Sequence, residues 1–260
     1  MTKETEEKLA RSLTAETTEL LPYLPYLLQD LWELGSSPKD MVRLIKKHMP
    51  ISMDTKILDL ACGKGAVSIN IAKSLGVNVY GFDLTTDFIK YAAQKAKELD
   101  VESLCHFVLA DINETVNTAK NYDCVIFGAA GDVLGNPRET LSKLSQTVKP
   151  QGYILIDDGY LRDDASNDKA KYKNYEYLTH EQWLHLFQDV GLKLVEEAPA
   201  DVEEYDFAFE NKAIAARAEE LIAKYPGKRA IFEGYVQSQL NECADLENTV
   251  VGVTWMLQKL

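Results

Sequence analysis

From about residue 55 onward the chain alternates short, continuously apolar runs with amphipathic stretches, and this alternation limits its fold more than any other feature. The apolar runs are Ile57–Leu60, Val77–Phe82, Leu104–Ala110, Tyr122–Phe127 and Tyr153–Ile156. Unbroken hydrophobicity, rather than a polar residue at every second place, marks strands covered on both faces. Between the runs, apolar residues recur at three- and four-residue spacing, as at Phe88, Tyr91, Ala92, Ala96 and Leu99, the period of a helix. Strands and helices taking turns around a mostly parallel sheet make an α/β fold. Lys149, Pro150 and Gly152 punctuate the step into the fifth strand.

Both ends depart from this alternation. The first 50 residues read as an N-terminal helical cap, and residues 51–260 as the main domain. Leu20–Leu34 is apolar and aromatic and stops at Gly35. Ser37-Pro38-Lys39-Asp40 then reads as a capping box, with Asp40 reaching back and a helix continuing to about His48. Towards the C-terminus a helix near Glu181–Val190 leads to a strand at Leu192–Val195, and a last strand follows only at Val250–Leu257. A helical insertion at about 199–247 separates these two strands. One of its helices carries Phe207, Ile214, Ala218, Leu221 and Tyr225, the other Phe232, Val236, Leu240 and Cys243, with a break at Tyr225-Pro226-Gly227.

Charge and cysteine usage narrow the function. With 41 acidic and 28 basic residues the net charge is −13, and residues 196–247 alone hold 13 acidic against 5 basic side chains. A field of that sign repels nucleic acid and anionic lipid, so we expect neither as a partner. Runs such as Val125-Ile126-Phe127 fall far short of a bilayer span, and Met1–Arg11 is polar, unlike a signal sequence. Cys62, Cys105, Cys124 and Cys243 form no Cys-x-x-Cys pair, which suits a reducing cytoplasm.

The segment that carries chemistry begins at Lys56 and reads K-I-L-D-L-A-C-G-K-G-A-V-S. A buried strand delivers Asp59 to its carboxyl end, and Ala61, Gly63 and Gly65 turn the chain into a helix near Ala66. Small residues let a ligand approach the backbone, and the first N–H groups of the helix lie at the positive end of its dipole. The second run ends in Gly81-Phe82-Asp83, 18 residues past Gly65, where a carboxylate would grip a ribose diol. The third ends in Ala110-Asp111-Ile112 and the fourth in Phe127-Gly128-Ala129. Ligands in open α/β sheets bind outside these carboxyl ends.

In these motifs, over roughly residues 40–195, the sequence resembles the class I S-adenosylmethionine-dependent methyltransferases. Their acidic residue followed by G-x-G-x-G is matched by Asp59-Leu60-Ala61-Cys62-Gly63-Lys64-Gly65, with Ala61 in the first glycine place; their K-P-G-G is Lys149-Pro150-Gln151-Gly152. The resemblance implies a doubly wound, Rossmann-like, seven-stranded sheet with an antiparallel last strand and the insertion between the last two strands. It implies S-adenosylmethionine as cofactor. The turn at Ala61 and Gly63 would meet the methionine part, Asp83 the ribose hydroxyls, Leu84 the adenine face, Asp111 with Ile112 the adenine edge, and the Gly128 backbone the methionine moiety. Asp59 and Gly65 complete the motif.

Two other readings compete. A nicotinamide oxidoreductase wants a third glycine where Ser68 stands, and a carboxylate at Asp59 would repel its pyrophosphate. A non-catalytic binder of S-adenosylmethionine would share the motifs and lack an acceptor pocket. Methyl transfer itself asks mainly for alignment, with a base only where the nucleophile arrives protonated. Candidates near the transfer point are Asp132, Asp158 and Tyr160. Catechol-type relatives hold magnesium with carboxylates from these strand ends, which would be Asp132 with Asp157 or Asp158; capping roles for Asp are commoner, so we expect no metal. His180 and His185 have no partner at ligand spacing. Tyr160, Tyr172, Tyr175 and Tyr177 could wall an acceptor pocket, and Tyr23, Tyr26 and Trp32 could belong to a lid. With Glu203, Glu204 and Asp206 at its mouth, such a pocket would take a neutral or cationic small molecule, an amine first among them.

Overall fold

The computed structural model describes residues 2–173, 175–201 and 206–260. Helices α1 (Lys3–Ser12), α2 (Leu24–Leu27) and α3 (Pro38–His48) come first. Then β1 (Lys56–Leu60), α4 (Ala66–Leu75), β2 (Asn78–Asp83), α5 (Thr86–Glu98), β3 (Cys105–Leu109), α6 (Ile112–Thr118), β4 (Tyr122–Gly128), α7 (Pro137–Thr147) and β5 (Val148–Leu161) alternate. The chain closes with β6 (Leu178–Thr179), α8 (His180–Asp189), β7 (Leu192–Pro199), α9 (Phe207–Lys224), α10 (Arg229–Asn248) and β8 (Val250–Lys259).

The chain divides into two compact bodies. The first holds Trp32–Asp158, Glu181–Ala198 and Val253–Leu260. Its sheet has the order β3-β2-β1-β4-β5-β8-β7, parallel from β3 to β5, with the last strands antiparallel. The order reverses between β1 and β4, so the carboxyl tips of these two strands frame the crevice where this topology binds ligands. Met41, Leu44 and Ile45 of α3 are fully buried in one cluster with Ile57, Val79, Ile126, Leu155 and Met256. Each such side chain contributes about 1.5–3 kcal/mol by leaving water, so residues 32–50, read in sequence as part of a cap, cluster with the sheet.

The second body holds Gly159–His180 and the described residues among 1–31 and 199–252. In it Tyr23 packs edge-on against Tyr225 and Phe232, with ring centres 5.6 and 5.1 Å apart. Arg217 pairs with Asp30 at 2.7 Å. Buried Asp245 on α10 accepts the backbone N–H groups of Lys171 and Tyr172. Tyr160 and Leu161, the end of β5, pair there with the two-residue β6, a strand the sequence did not announce.

Three local readings are corrected. Leu20–Leu34 is not one helix: a 3-10 turn at Thr18–Leu20 and the four residues of α2 are its only helical pieces, because Pro22 and Pro25 withhold the N–H groups a longer helix needs. Pro150-Gln151-Gly152 lies inside β5 rather than before it, with Gln151 at φ +61° and a register shift against β4. In the box before α3, Ser37 accepts the Asp40 N–H as expected, but the Asp40 carboxylate takes the Ser37 hydroxyl, and the Ser37 N–H goes to Asp157.

Candidate functional site

At the tip of β1 the chain turns through residues of positive φ: Ala61 at +62°, Gly63 at +52° and Gly65 at +75°. The Cys62 N–H bonds the Phe82 carbonyl and the Gly65 N–H the Cys62 carbonyl, tying the turn to β2. Gly65 is N-cap of α4 and gives it no side-chain acceptor. A Cβ on Gly65 would lie 2.8 Å from Phe107 and 2.9 Å from Ala92, so this glycine serves packing behind the turn. Ala61, by contrast, holds a left-handed backbone despite its methyl group, the kind of local strain that persists where function requires it.

Two carboxylates flank the turn. Asp59 is buried, and the Ser68 hydroxyl donates to it at 2.5 Å. Burial pushes its carboxyl up to about 7, with the Asp83 charge adding to the rise and the bonds from Ser68 opposing it. Asp83 is also buried and also raised by desolvation. Its oxygens accept the Gly63 N–H at 2.9 Å and the Thr85 N–H at 2.7 Å.

A cleft opens beside the turn. Asp59, Ala61, Cys62, Gly63 and Lys64 line it together with Ala66, Val67, Ile126 and Gly128. Trp32, Leu34 and Ser36 complete the lining. Of these three the sequence had singled out only Trp32, as a lid residue; Leu34 and Ser36 sit in a stretch without periodicity or motif. The structure thus brings Asp59, Ala61, Gly63 and Gly128 together around one cleft, whose lining does not include Gly65, Asp83, Leu84, Asp111 or Ile112. Leu84 is half-buried, Ile112 is buried, and Asp111 caps α6 by accepting the Asn113 N–H at 2.9 Å.

The other candidates fall as follows. Asp132 is half-buried in the loop after β4, and Asp158 half-buried in β5. Neighbouring Asp157 accepts the Ser37 N–H at 3.4 Å and the Thr254 hydroxyl at 3.2 Å, and burial pushes its carboxyl up to about 7. In the second body the ring of Tyr160 lies 4.7 Å from that of His180. Tyr172 is buried and donates to the Arg11 carbonyl, and Tyr177 is buried against Tyr175. His185 is exposed, 3.7 Å from Glu181. Asp206 caps α9, whereas Glu203 and Glu204 lie outside the described residues. Among the described residues no three His, Cys, Asp or Glu side chains gather as metal ligands would, and no helix is long and apolar enough to cross a membrane.

A methyltransferase-domain family matches residues 51–214. The Escherichia coli protein YjhP is 28% identical over 159 residues, 58% of this chain and 63% of its own length. The Bacillus subtilis protein YqeM is 27% identical over 147 residues, 54% of this chain and 51% of its own length. The aligned part of the chain thus spans about half to three-fifths of these curated relatives. The solved YjhP structure superposes with a TM-score of 0.74 at 20% identity, over 91% of this chain and 100% of that one. A Geobacter sulfurreducens methyltransferase solved with S-adenosylhomocysteine superposes with a TM-score of 0.76 at 19% identity, over 92% and 98%. At those identities the structures show a shared fold, and the matched domain shows the family: the chain belongs to the class I S-adenosylmethionine-dependent methyltransferases.

Proposed function

We propose that this protein binds S-adenosylmethionine in the cleft at the tips of β1 and β4 and transfers its methyl group to a small molecule. The observation that carries the reading is the left-handed turn at Ala61 and Gly63 set beside buried Asp59 and the bare backbone of Gly128. The donor set suits the cofactor: its amino-acid end and sulfur carry positive charge, and a partly desolvated carboxylate attracts such groups. A Cβ on Gly128 would collide with the Ser36 hydroxyl, so the glycine makes room for Ser36 at the cleft wall. By the same reading Asp83 reaches the ribose, Leu84 packs on the adenine and Asp111 with Ile112 meets its edge.

When bound, S-adenosylmethionine supplies an activated methyl group. The chain supplies binding and alignment, and alignment of this kind is worth roughly 7–11 kcal/mol in intramolecular reactions. We assign Asp132, in the loop after β4, and Asp158, within β5, as the candidates to accept a proton from an acceptor that arrives protonated. The acceptor we propose is neutral or cationic, an amine first, and the support is the concentration of acidic side chains in residues 196–247. Four free cysteines support a cytoplasmic setting.

Calorimetry with S-adenosylmethionine, S-adenosylhomocysteine and NAD tests the cofactor. Micromolar binding of the two sulfur ligands is expected, and NAD binding alone would end the reading. Amine, phenol, thiol and carboxylate acceptors assayed at low and high salt then test the chemistry. Activity on amines that fades with salt supports the proposal; preference for anions, tRNA or DNA overturns the acceptor class, and cofactor binding with no turnover on any acceptor makes the protein a binding module.

A further inference from the structure

Residues 32–37 form an irregular strap fixed at both ends to the first body. At one end the Trp32 indole N–H donates to the Lys64 carbonyl in the turn after β1, at 3.2 Å, and the Lys95 ammonium sits 5.3 Å from the centre of its ring. At the other, the Ser37 N–H donates to Asp157 in β5, and Ser37 caps α3. Between these anchors the strap leans on the small residues of the cleft. Leu34 lies 3.3 Å from where a Cβ on Gly63 would be, and a Cβ on Gly128 would collide with the Ser36 hydroxyl. Ser36 lines the cleft with Asp59, and its hydroxyl takes no hydrogen-bond partner among the described residues.

We propose that Ser36 is a cofactor-contact residue whose hydroxyl bonds the amino-acid end of S-adenosylmethionine, an inference that rests on reading this cleft as the cofactor site. The amino-acid end is the most polar part of the cofactor and needs both acceptors and donors around it. Asp59 is an acceptor, and the Ser68 hydroxyl beside it is already committed to it. Ser36 offers a hydroxyl that both donates and accepts. Because the strap is tied down at Trp32 and Ser37, placing that hydroxyl costs little ordering when a ligand arrives.

The test compares S-adenosylhomocysteine with methylthioadenosine, which keeps the adenosine and sulfur but lacks the amino-acid end. Ser36→Ala should weaken S-adenosylhomocysteine roughly ten-fold, the size expected for one hydrogen bond to a charged group, and leave methylthioadenosine binding unchanged. Ser36→Thr retains the hydroxyl and should keep the ratio of the two affinities at its wild-type value. Equal losses for both ligands, or no loss for either, in Ser36→Ala would overturn the contact and leave Ser36 as packing alone. Failure of the wild-type protein to bind S-adenosylhomocysteine at all would instead overturn the cofactor site, and the contact with it.

Discussion

The carboxylate of Asp83, at the end of β2, accepts the backbone N–H of Gly63 from the neighbouring turn at 2.9 Å, while its other oxygen takes the N–H of Thr85 at 2.7 Å. A strand-tip acid that looks in sequence like a ligand group is therefore also a brace for the turn that shapes the cleft. Asp83→Ala should leave both donors without an acceptor in a largely dry setting, at about 1–3 kcal/mol each. For a chain of this size that corresponds to a fall in Tm on the order of 10 °C, together with weaker S-adenosylhomocysteine binding. Asp83→Asn keeps one acceptor oxygen and should lose about half as much. Thermal unfolding of both variants is the check, and a wild-type Tm for Asp83→Ala would show that the brace contributes nothing.

Asp59 and Asp157 are each pushed up to about 7 by burial, whereas an exposed aspartate titrates near 3.9. Between roughly pH 4 and pH 7 the folded chain therefore keeps protons that the unfolded chain has released. Stability from these groups is fully present below pH 4 and is lost as pH rises through 7, by up to about 4 kcal/mol for each. The raised carboxyls of Asp83 and Glu242 act in the same direction. Urea midpoints should thus be higher at pH 5 than at pH 8, and Asp59→Asn or Asp157→Asn should flatten the difference. A midpoint that climbs across this window, or Asn variants with the full wild-type slope, would contradict it.

The parts of this molecule legible in the sequence are those written in a repeating pattern or a spaced motif. The parallel strands declared themselves by unbroken apolar runs, and α5 by its helical spacing. The turn at Ala61 and Gly63 could be read because a tight turn admits few residue types, and Asp59 and Gly128 stood out at the ends of apolar runs. The strap could not be read: Leu34 and Ser36 line the cleft through contacts across the fold, with Gly63 and Gly128, and nothing local marks them. For the same reason the packing role of Gly65 could not be read. Its missing side chain makes room for Phe107, 42 positions away in the chain and visible as a neighbour only once β3 pairs with β2. That α3 clusters with the sheet could not be read, because an amphipathic helix shows that it buries one face but not against what.

Gly65 and Gly76 separate backbone strain from crowding. Both have positive φ, +75° and +66°, yet a Cβ on Gly65 meets Phe107 and Ala92 inside 3 Å, and one on Gly76 meets nothing within 4 Å. Gly76→Ala should therefore cost only the left-handed backbone penalty, about 1–2 kcal/mol. Gly65→Ala should cost that plus the repacking of a well-filled interior, typically another 1–3 kcal/mol. Denaturant unfolding measures both. Equal losses would mean that Phe107 moves aside freely, and that the turn tolerates side chains the structure says it should refuse.

In the second body, buried Asp245 on α10 is the acceptor that fixes the segment leading to β6. Its two oxygens take the Lys171 N–H at 2.9 and 2.8 Å, and one of them also takes the Tyr172 N–H at 2.7 Å. Tyr172 in turn donates its hydroxyl to the Arg11 carbonyl at the end of α1. One carboxylate thus orders a stretch of chain that has no regular backbone bonding of its own, and through Tyr172 it reaches α1. Asp245→Ala should expose this dependence as local opening, because bonds to a charged acceptor contribute about 1.5–3 kcal/mol each and sub-global openings are governed by such local terms. Hydrogen exchange should quicken at least ten-fold in peptides covering residues 165–173 and 3–15, while peptides from β1 and β4 keep their wild-type protection. Asp245→Asn retains one acceptor oxygen and should fall between. Unchanged exchange around Lys171 and Tyr172 in the Ala variant would show that the side chains packed there hold the segment without Asp245.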